Sequence, residues 1–310
     1  MVQAAWMYYY DDMTHQQIAD KLGVSRIKVT RLLKAARARG IVEIKLTRPL
    51  PANFELRHRL ESIFNLKDAI VINTLSVLDT TLNEIARSAV EYLARTAKSG
   101  DIIGFGWSST VSRMADYLYL LADVKSLQIV DLVGSMLGKE SPYTVSQRVA
   151  DVLHAPLAAL SLPVILPSQE IHQTILQDPN IRQTLQIGRQ TDIAVVGVGD
   201  VSPHNALVGG RYLTDDELAY LRDKRAVGDV LMRFFDLHGR PIHHEVDLRI
   251  VGLVWQEITT IPLVMVVAGG PTKPAPILGI LRSGICKTLV TDYQTAQAVL
   301  ELHEATYEQT

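Results

Sequence analysis

A single cysteine, Cys286, stands among 310 residues. That excludes an intrachain disulfide, leaves no thiol pair to hold a metal, and makes a reducing cytoplasm the expected compartment. No stretch approaches the roughly 18 consecutive apolar residues of a membrane span, so no membrane partner is expected. The opening segment MVQAAWMYYYDDM has no basic run leading into an apolar one, so no signal peptide is expected either. A hydrophobic fraction of 47% with 21% charged residues is ordinary for a globular chain, and the length allows more than one core.

The formal net charge of −2 hides a division. Residues 1–52 carry nine Lys and Arg against four Asp and Glu, a net +5, which leaves −7 for the remainder. A basic head on an acidic body points to a polyanionic partner for the head. A solvated helix face would give the same count, so the residues themselves must decide.

The head reads as three short helices. The first runs from Val2 to Tyr10 and ends at Asp11-Asp12. The second opens at Thr14, an N-cap with Gln17 three residues later in the capping-box pattern, and breaks at Gly23. The third opens at Ser25 and is stopped by Gly40. Ala19 is small where two helices must cross, Gly23 suits a turn with positive φ, and Val29 plugs the core with Leu22, Val24 and Leu32 around it. This spacing is that of a helix-turn-helix.

With Val29, Leu32 and Leu33 turned inward, Ser25, Arg26, Thr30, Arg31 and Lys34 face outward, with Ile27 and Lys28 at the margin. In a major groove Arg26 or Arg31 has the fork for guanine O6 and N7, and Ile27 or Thr30 suits a thymine methyl. Lys34, Thr14 and Gln16 are placed for phosphates, which orient without reading sequence. A helical hairpin used only for protein packing is the competing reading, but capping, small residue, glycine and basic face agree against it. After Gly40, alternation from Ile41 to Thr47 reads as a strand, either a wing or an inter-subunit contact. Pro49 and Pro51 mark a linker, and Asn53–Leu66 a connecting helix with Leu56, Leu60, Ile63 and Phe64 at helical spacing.

From about Asp68 apolar strands alternate with amphipathic helices. Expected strands are Ala69–Ile72, Asp101–Phe105, Leu127–Leu132, Asp192–Val198, Ile261–Val267 and Lys287–Val290, with helices at Thr80–Ala97 and Thr110–Leu121. The pattern implies a largely parallel sheet covered on both faces. The expected architecture is α/β: a small all-α helix-turn-helix domain over 1–52, then a Rossmann-like α/β effector and oligomerisation domain over 53–310. Ligands in such sheets bind at the carboxyl ends of strands, where four loops stand out.

The first, Gly104-Phe-Gly106-Trp-Ser108-Ser109-Thr110, combines close backbone approach, hydroxyls and a helix start, which suits a phosphate, although a plain tight turn is equally compatible. It lacks the Gly-Lys-Ser/Thr ending of a P-loop and is not GxGxxG. The second is Gly134-Ser-Met-Leu-Gly138. The third is Gly197-Val-Gly199-Asp200, followed by His204. The fourth is Ala268-Gly269-Gly270-Pro-Thr272-Lys273, whose lysine suits an anion. Gly228-Asp229 precedes an apolar segment read as a helix, and Asp229 is placed to accept from sugar hydroxyls. For Asp229 or Lys273 alone, a solvated charge is the simpler reading. The adjacent His243 and His244 point to opposite sides of an extended chain and would chelate poorly; neither a metal nor a cofactor is expected.

The head segment AAWMYYYDDMTHQQIADKLGVSRIKVTRLLKAARARGIVEI, with GFGWSST, DIAVVGVG, RAVGDVLMRFFDLHGRPI, VVAGGPTKPAPI and TLVTDYQTA in the body, resembles the SorC family of sugar-binding transcriptional regulators along essentially the whole chain. The resemblance implies an effector domain similar to sugar-phosphate isomerases and deaminases, and assembly into homotetramers on double-stranded operator DNA. It implies that Gly104, Gly106, Ser108, Ser109 and Thr110 hold an effector phosphate, that Gly134 lines the pocket, and that Asp229 and Lys273 contact the rest of a sugar or polyol phosphate. Relatives often carry paired glycines where this chain has Gly134-Ser135. The alternative is a working sugar-phosphate isomerase or deaminase with a DNA-binding head, for which Asp131, Asp200 and His204 are the candidate proton shuttles.

Overall fold

The structure, a computed structural model, describes residues 1–42, 52–121, 124–135, 145–202 and 212–307. The strand expected over Ile41–Thr47 falls almost wholly outside these residues, as do Pro49, Pro51, His204 and the Met136–Gly138 part of the second loop. The chain divides into two compact units, Met1–Leu50 and Pro51–Thr310. Among the described residues no helix is long and apolar enough to cross a membrane.

In the first unit, α1 (Val2–Tyr9), α2 (His15–Leu22) and α3 (Arg26–Ala38) enclose Ala4, Ala5, Ile18, Ala19, Val29, Leu33 and Ala36. Local chemistry sets each boundary. The Thr14 hydroxyl accepts the Gln17 N–H while Gln17 Oε1 accepts the Thr14 N–H, a reciprocal capping box. Gly23 takes φ 63 at the turn, which a Cβ would strain, and Ser25 Oγ then caps α3 by accepting the Lys28 N–H. A side-chain cap of this kind contributes about 1 kcal/mol.

The second unit begins with α4 (Ala52–Phe64), which buries Leu56 and Leu60 and leaves Ile63 exposed. Its main sheet has seven parallel strands in the order β1, β10, β9, β5, β2, β3, β4. They are β1 (Asp68–Ile72), β2 (Ile102–Phe105), β3 (Gln128–Asp131), β4 (Leu157–Ala158), β5 (Ile193–Val196), β9 (Leu263–Val267) and β10 (Thr288–Asp292). Apolar side chains on both faces bury the central strands: β5 and β9 are buried at every position. One face packs on α5 (Leu78–Thr96) through Ile85, Ala89, Val90 and Leu93, spaced as the inner stripe of a helix.

Two expectations need correction. The helix expected over Thr110–Leu121 is a short α6 (Ser109–Arg113) continued as 3-10 winding over Met114–Leu121. Ala115, Leu118 and Leu121 recur every third residue, so the tighter winding keeps all three on the buried edge. The apolar segment after Gly228-Asp229 is no helix. It forms a hairpin between β7 (Ala226–Val230) and β8 (Arg233–Asp236), and β6 (Gly199–Asp200) pairs with β7 to complete a small antiparallel sheet. Val230 pairs with Arg233 across a two-residue turn in which Leu231 (φ 49) and Met232 (φ 65) are both left-handed. That geometry matches strand twist and is usually made by Asn-Gly.

Candidate effector site and DNA-facing helix

On α3, Ser25, Arg26, Ile27, Lys28, Thr30, Arg31 and Lys34 are all exposed, while Val29 is fully buried. Ile27 is 68% exposed, an aliphatic side chain standing in water beside basic neighbours. Thr14 and Gln16 are exposed as well. Three of these groups already have local work: Thr14 and Ser25 cap helices, and the Thr30 hydroxyl bonds the Arg26 carbonyl and lies 3.2 Å from His15 Nδ1. Gln16 donates to Asp20. Among the described residues Arg26, Ile27, Lys28, Arg31 and Lys34 show no such local bond, whereas Thr14, Gln16, Ser25 and Thr30 are exposed but already locally bonded.

In the main sheet the chain leaves β2 toward β3 on one side and leaves β5 toward β9 on the other. The adjacent ends of β2 and β5 therefore form the topological switch point, where such sheets open a crevice. The first and third loops meet there. A Cβ on Gly197 would fall 2.5 Å from Ser108 Cβ and Oγ, and one on Gly106 would fall 2.5 Å from Leu231 in the hairpin turn. Ser108 caps α6 by accepting the Val111 N–H at 2.9 Å, Ser109 is exposed and Thr110 buried. Trp107 ties this loop to the second by donating to the Gly134 carbonyl at 2.9 Å. Gly104 and Gly134 serve packing: a Cβ would strike Leu132 at the first and the Leu162 carbonyl at the second.

The fourth loop closes the crevice. Lys273 donates to the Val198 carbonyl (3.1 Å) and pairs with Asp200 (3.0 Å), whose same oxygen accepts from Thr272. Gly270 is braced from below, donating to Thr295 Oγ1 at 2.9 Å and to Asp292 Oδ2 at 3.3 Å. Asp229 sits on β7 directly opposite Gly199 and accepts the Met232 N–H. Burial raises its carboxyl to about 6 and nearby Asp200 adds to the rise, against the Met232 N–H and Lys273. Asp200 is also part-buried, but the Ser202 hydrogen bonds and Lys273 outweigh desolvation and hold it below the usual carboxylate range.

The structure thus brings Gly106, Ser108, Asp229 and Lys273 to one end of the sheet. Sequence reasoning took Asp200 only as a possible proton shuttle, missing its ion pair with Lys273. Its signal was the Gly197–Asp200 loop itself, but the partner lies in another loop. Asp131, the other candidate shuttle, is buried at the end of β3, where Ser146 and the Leu160 N–H both bond it. Desolvation raises its carboxyl despite both bonds. His244 Nδ1 accepts the Val246 N–H and caps a turn.

A helix-turn-helix unit joined to a doubly wound α/β unit, with hydroxyls, an ammonium and carboxylates at its switch point, defines a DNA-binding regulator with a small-molecule domain. The family model described as "Putative sugar-binding domain" matches residues 48–301, and that of "Sigma-70, region 4" matches residues 6–39. The Deoxyribonucleoside regulator of Bacillus subtilis is 31% identical over 96% of this chain and 96% of its own. The Sorbitol operon regulator of Klebsiella pneumoniae is 28% identical over 97% of each. The crystal structure of the full-length Klebsiella pneumoniae Sorbitol Operon Regulator SorC superposes with a TM-score of 0.74 at 26% identity, covering 96% of this chain and 97% of that one. The chain belongs to the SorC family of sugar-binding transcriptional regulators.

Proposed function

We propose that this protein is a cytoplasmic regulator of a carbohydrate-catabolism operon, binding double-stranded operator DNA through α3 and a phosphorylated sugar or polyol at the switch point. Arg26, Ile27, Thr30 and Arg31 face base edges, Lys34, Thr14 and Gln16 approach the phosphates, and Ser25 and Lys28 belong to the same DNA-facing surface at the start of the helix. Gly106, Ser108, Ser109 and Thr110 form the loop for the effector phosphate, Gly104 at the end of β2 and Gly134 on the adjoining wall support it by close packing, and Asp229 and Lys273 take the remainder of the ligand. The observation that carries this reading is the convergence of the Ser108 loop, Asp229 and Lys273 on one crevice. The active species is a homotetramer whose paired heads engage two operator sites. The effector is allosteric because it binds two subunit arrangements with different affinity.

The protein acts without catalysis in this reading. Asp131 is occupied by Ser146 and Leu160 and Asp200 by Lys273, which suits binding better than proton transfer. A gel-shift titration on the DNA upstream of its own gene, with a panel of sugar phosphates, tests the proposal. A salt-sensitive specific complex altered by one phosphate is the expected result. Specific binding unmoved by any sugar phosphate overturns the phosphorylated effector, and sustained aldose–ketose conversion of one overturns the non-catalytic reading.

A further inference from the structure

Thr30 is exposed on the outer side of α3, yet its hydroxyl is already engaged within the head. It donates to the Arg26 carbonyl at 3.2 Å and lies 3.2 Å from His15 Nδ1 on α2. A threonine hydroxyl has one proton. Whichever neighbour takes it, none remains for an acceptor on a base edge. A threonine in a helix divides between two rotamers, because its hydroxyl can bond a carbonyl of the preceding turn. A second partner on another helix selects the rotamer that satisfies both.

His15 is itself firmly seated. It is the first residue of α2, directly after the Thr14 capping box. Its ring lies 5.1 Å from that of Tyr8, tilted at 53°. Tyr8 stands edge-on to Tyr9 at 4.9 Å, and the Tyr9 hydroxyl accepts from Arg37 Nε at 2.7 Å. The neighbouring tyrosines of α1 thus brace α3 at two points, one through His15 to Thr30 and one directly at Arg37.

We infer that His15 is a positioning residue for sequence readout: by holding the Thr30 hydroxyl it makes Thr30 meet a base with its methyl and not with a donor. The inference rests on the DNA-reading role of α3 and adds a residue outside that helix and the mode of contact. The base that fits is thymine, whose C5-methyl lies on the major-groove edge. A purine N7 or guanine O6 requires a donor, and that proton is committed inside the head. His15 acts through Thr30 and does not itself touch a base.

Gel shifts of the full-length protein on a duplex it selects from a random pool test this, with each thymine replaced in turn by deoxyuridine. At one thymine the lost methyl is expected to weaken wild-type binding roughly fourfold, the scale of one buried apolar carbon. The penalty is expected to vanish in Thr30→Ser, which keeps the hydroxyl without the methyl, and to persist in Thr30→Val. His15→Phe keeps a ring beside Tyr8 but removes Nδ1, and the penalty there is expected to shrink. Adding Thr30→Val, whose two methyls occupy both positions, is expected to restore it. A merely structural role for His15 would weaken binding to all sequences alike, with the penalty unchanged. No penalty that depends on Thr30, its loss in Thr30→Val, or an unchanged penalty in folded His15→Phe overturns the inference. If His15→Phe does not fold, His15→Leu is read by the same outcomes. Failure of the DNA-reading role looks different: the wild type then selects no sequence from the pool.

Discussion

Gly197 lies so close to Ser108 that a single added carbon would sit 2.5 Å from both its Cβ and its Oγ. The third loop thereby sets where the first can stand, and Ser108 in turn caps α6. Gly197→Ala is expected to push Ser108 outward, lowering stability by about 1–3 kcal/mol as an overpacked contact. Its effector affinity is expected to fall at least about tenfold, the penalty of misplacing one charge-assisted donor. Operator affinity of the effector-free protein should be unchanged. Effector titration followed by gel shift checks this, and wild-type effector affinity in Gly197→Ala would separate Ser108 from the ligand.

The head was legible because its boundaries are local. Thr14 with Gln17, Gly23 and Ser25 act within three or four residues of themselves, so sequence alone carries their chemistry. The central strands were legible because both faces are apolar. The β7–β8 hairpin was not, since Leu231 and Met232 occupy positive φ without the Asn-Gly signature. Likewise each site loop was readable singly, but the pairing of Lys273 with Asp200 depends on the strand order β9-β5-β2, which no local signal encodes.

Asp229 is expected to weaken the fold at neutral pH. Its folded carboxyl is raised from 3.8 to about 6, chiefly by burial. Between those values the folded chain keeps a proton that the unfolded chain has released, so stability declines as pH rises from about 4 to about 6 and stays lower above. Two pKa units correspond to ~3 kcal/mol. Asp229→Asn, which retains an acceptor for the Met232 N–H, should be up to ~3 kcal/mol more stable than wild type at pH 7.5 and nearly equal at pH 4. Its effector affinity should fall, since a charged acceptor is lost. Urea unfolding across that range checks the sign: an equal gap at both ends of the range would rule out the titration.

Ser25 should matter to DNA binding both through the helix it caps and through its place beside the phosphates. Its hydroxyl accepts the Lys28 N–H at 3.2 Å, so Ser25→Ala is expected to cost about 1 kcal/mol of head stability. Ser25→Asp, which also caps, should restore that stability while placing a negative charge near the phosphates. Circular dichroism melts read the first effect and gel shifts the second. Restored melting with impaired binding is the expected combination.

The two units should also separate under mutation. Arg31 is exposed on α3 and Val29, two residues earlier, is buried, so Arg31→Ala removes a reaching side chain without opening the core. A lost bidentate base contact is worth about 1–3 kcal/mol, which predicts operator binding weaker by roughly 5- to 150-fold. A pure phosphate contact would instead weaken binding to all sequences alike and reduce the salt slope by about one charge. Effector affinity of Arg31→Ala in the absence of DNA should match the wild type. Lys273→Ala should do the reverse, since its ammonium is held by Val198 and Asp200 in the second unit. Its effector-free operator affinity should stay intact while the effector response is lost. Parallel measurement of both affinities in both variants decides the matter. Equal loss of both in either folded variant would mean that reading DNA and sensing the effector are not divided between the units.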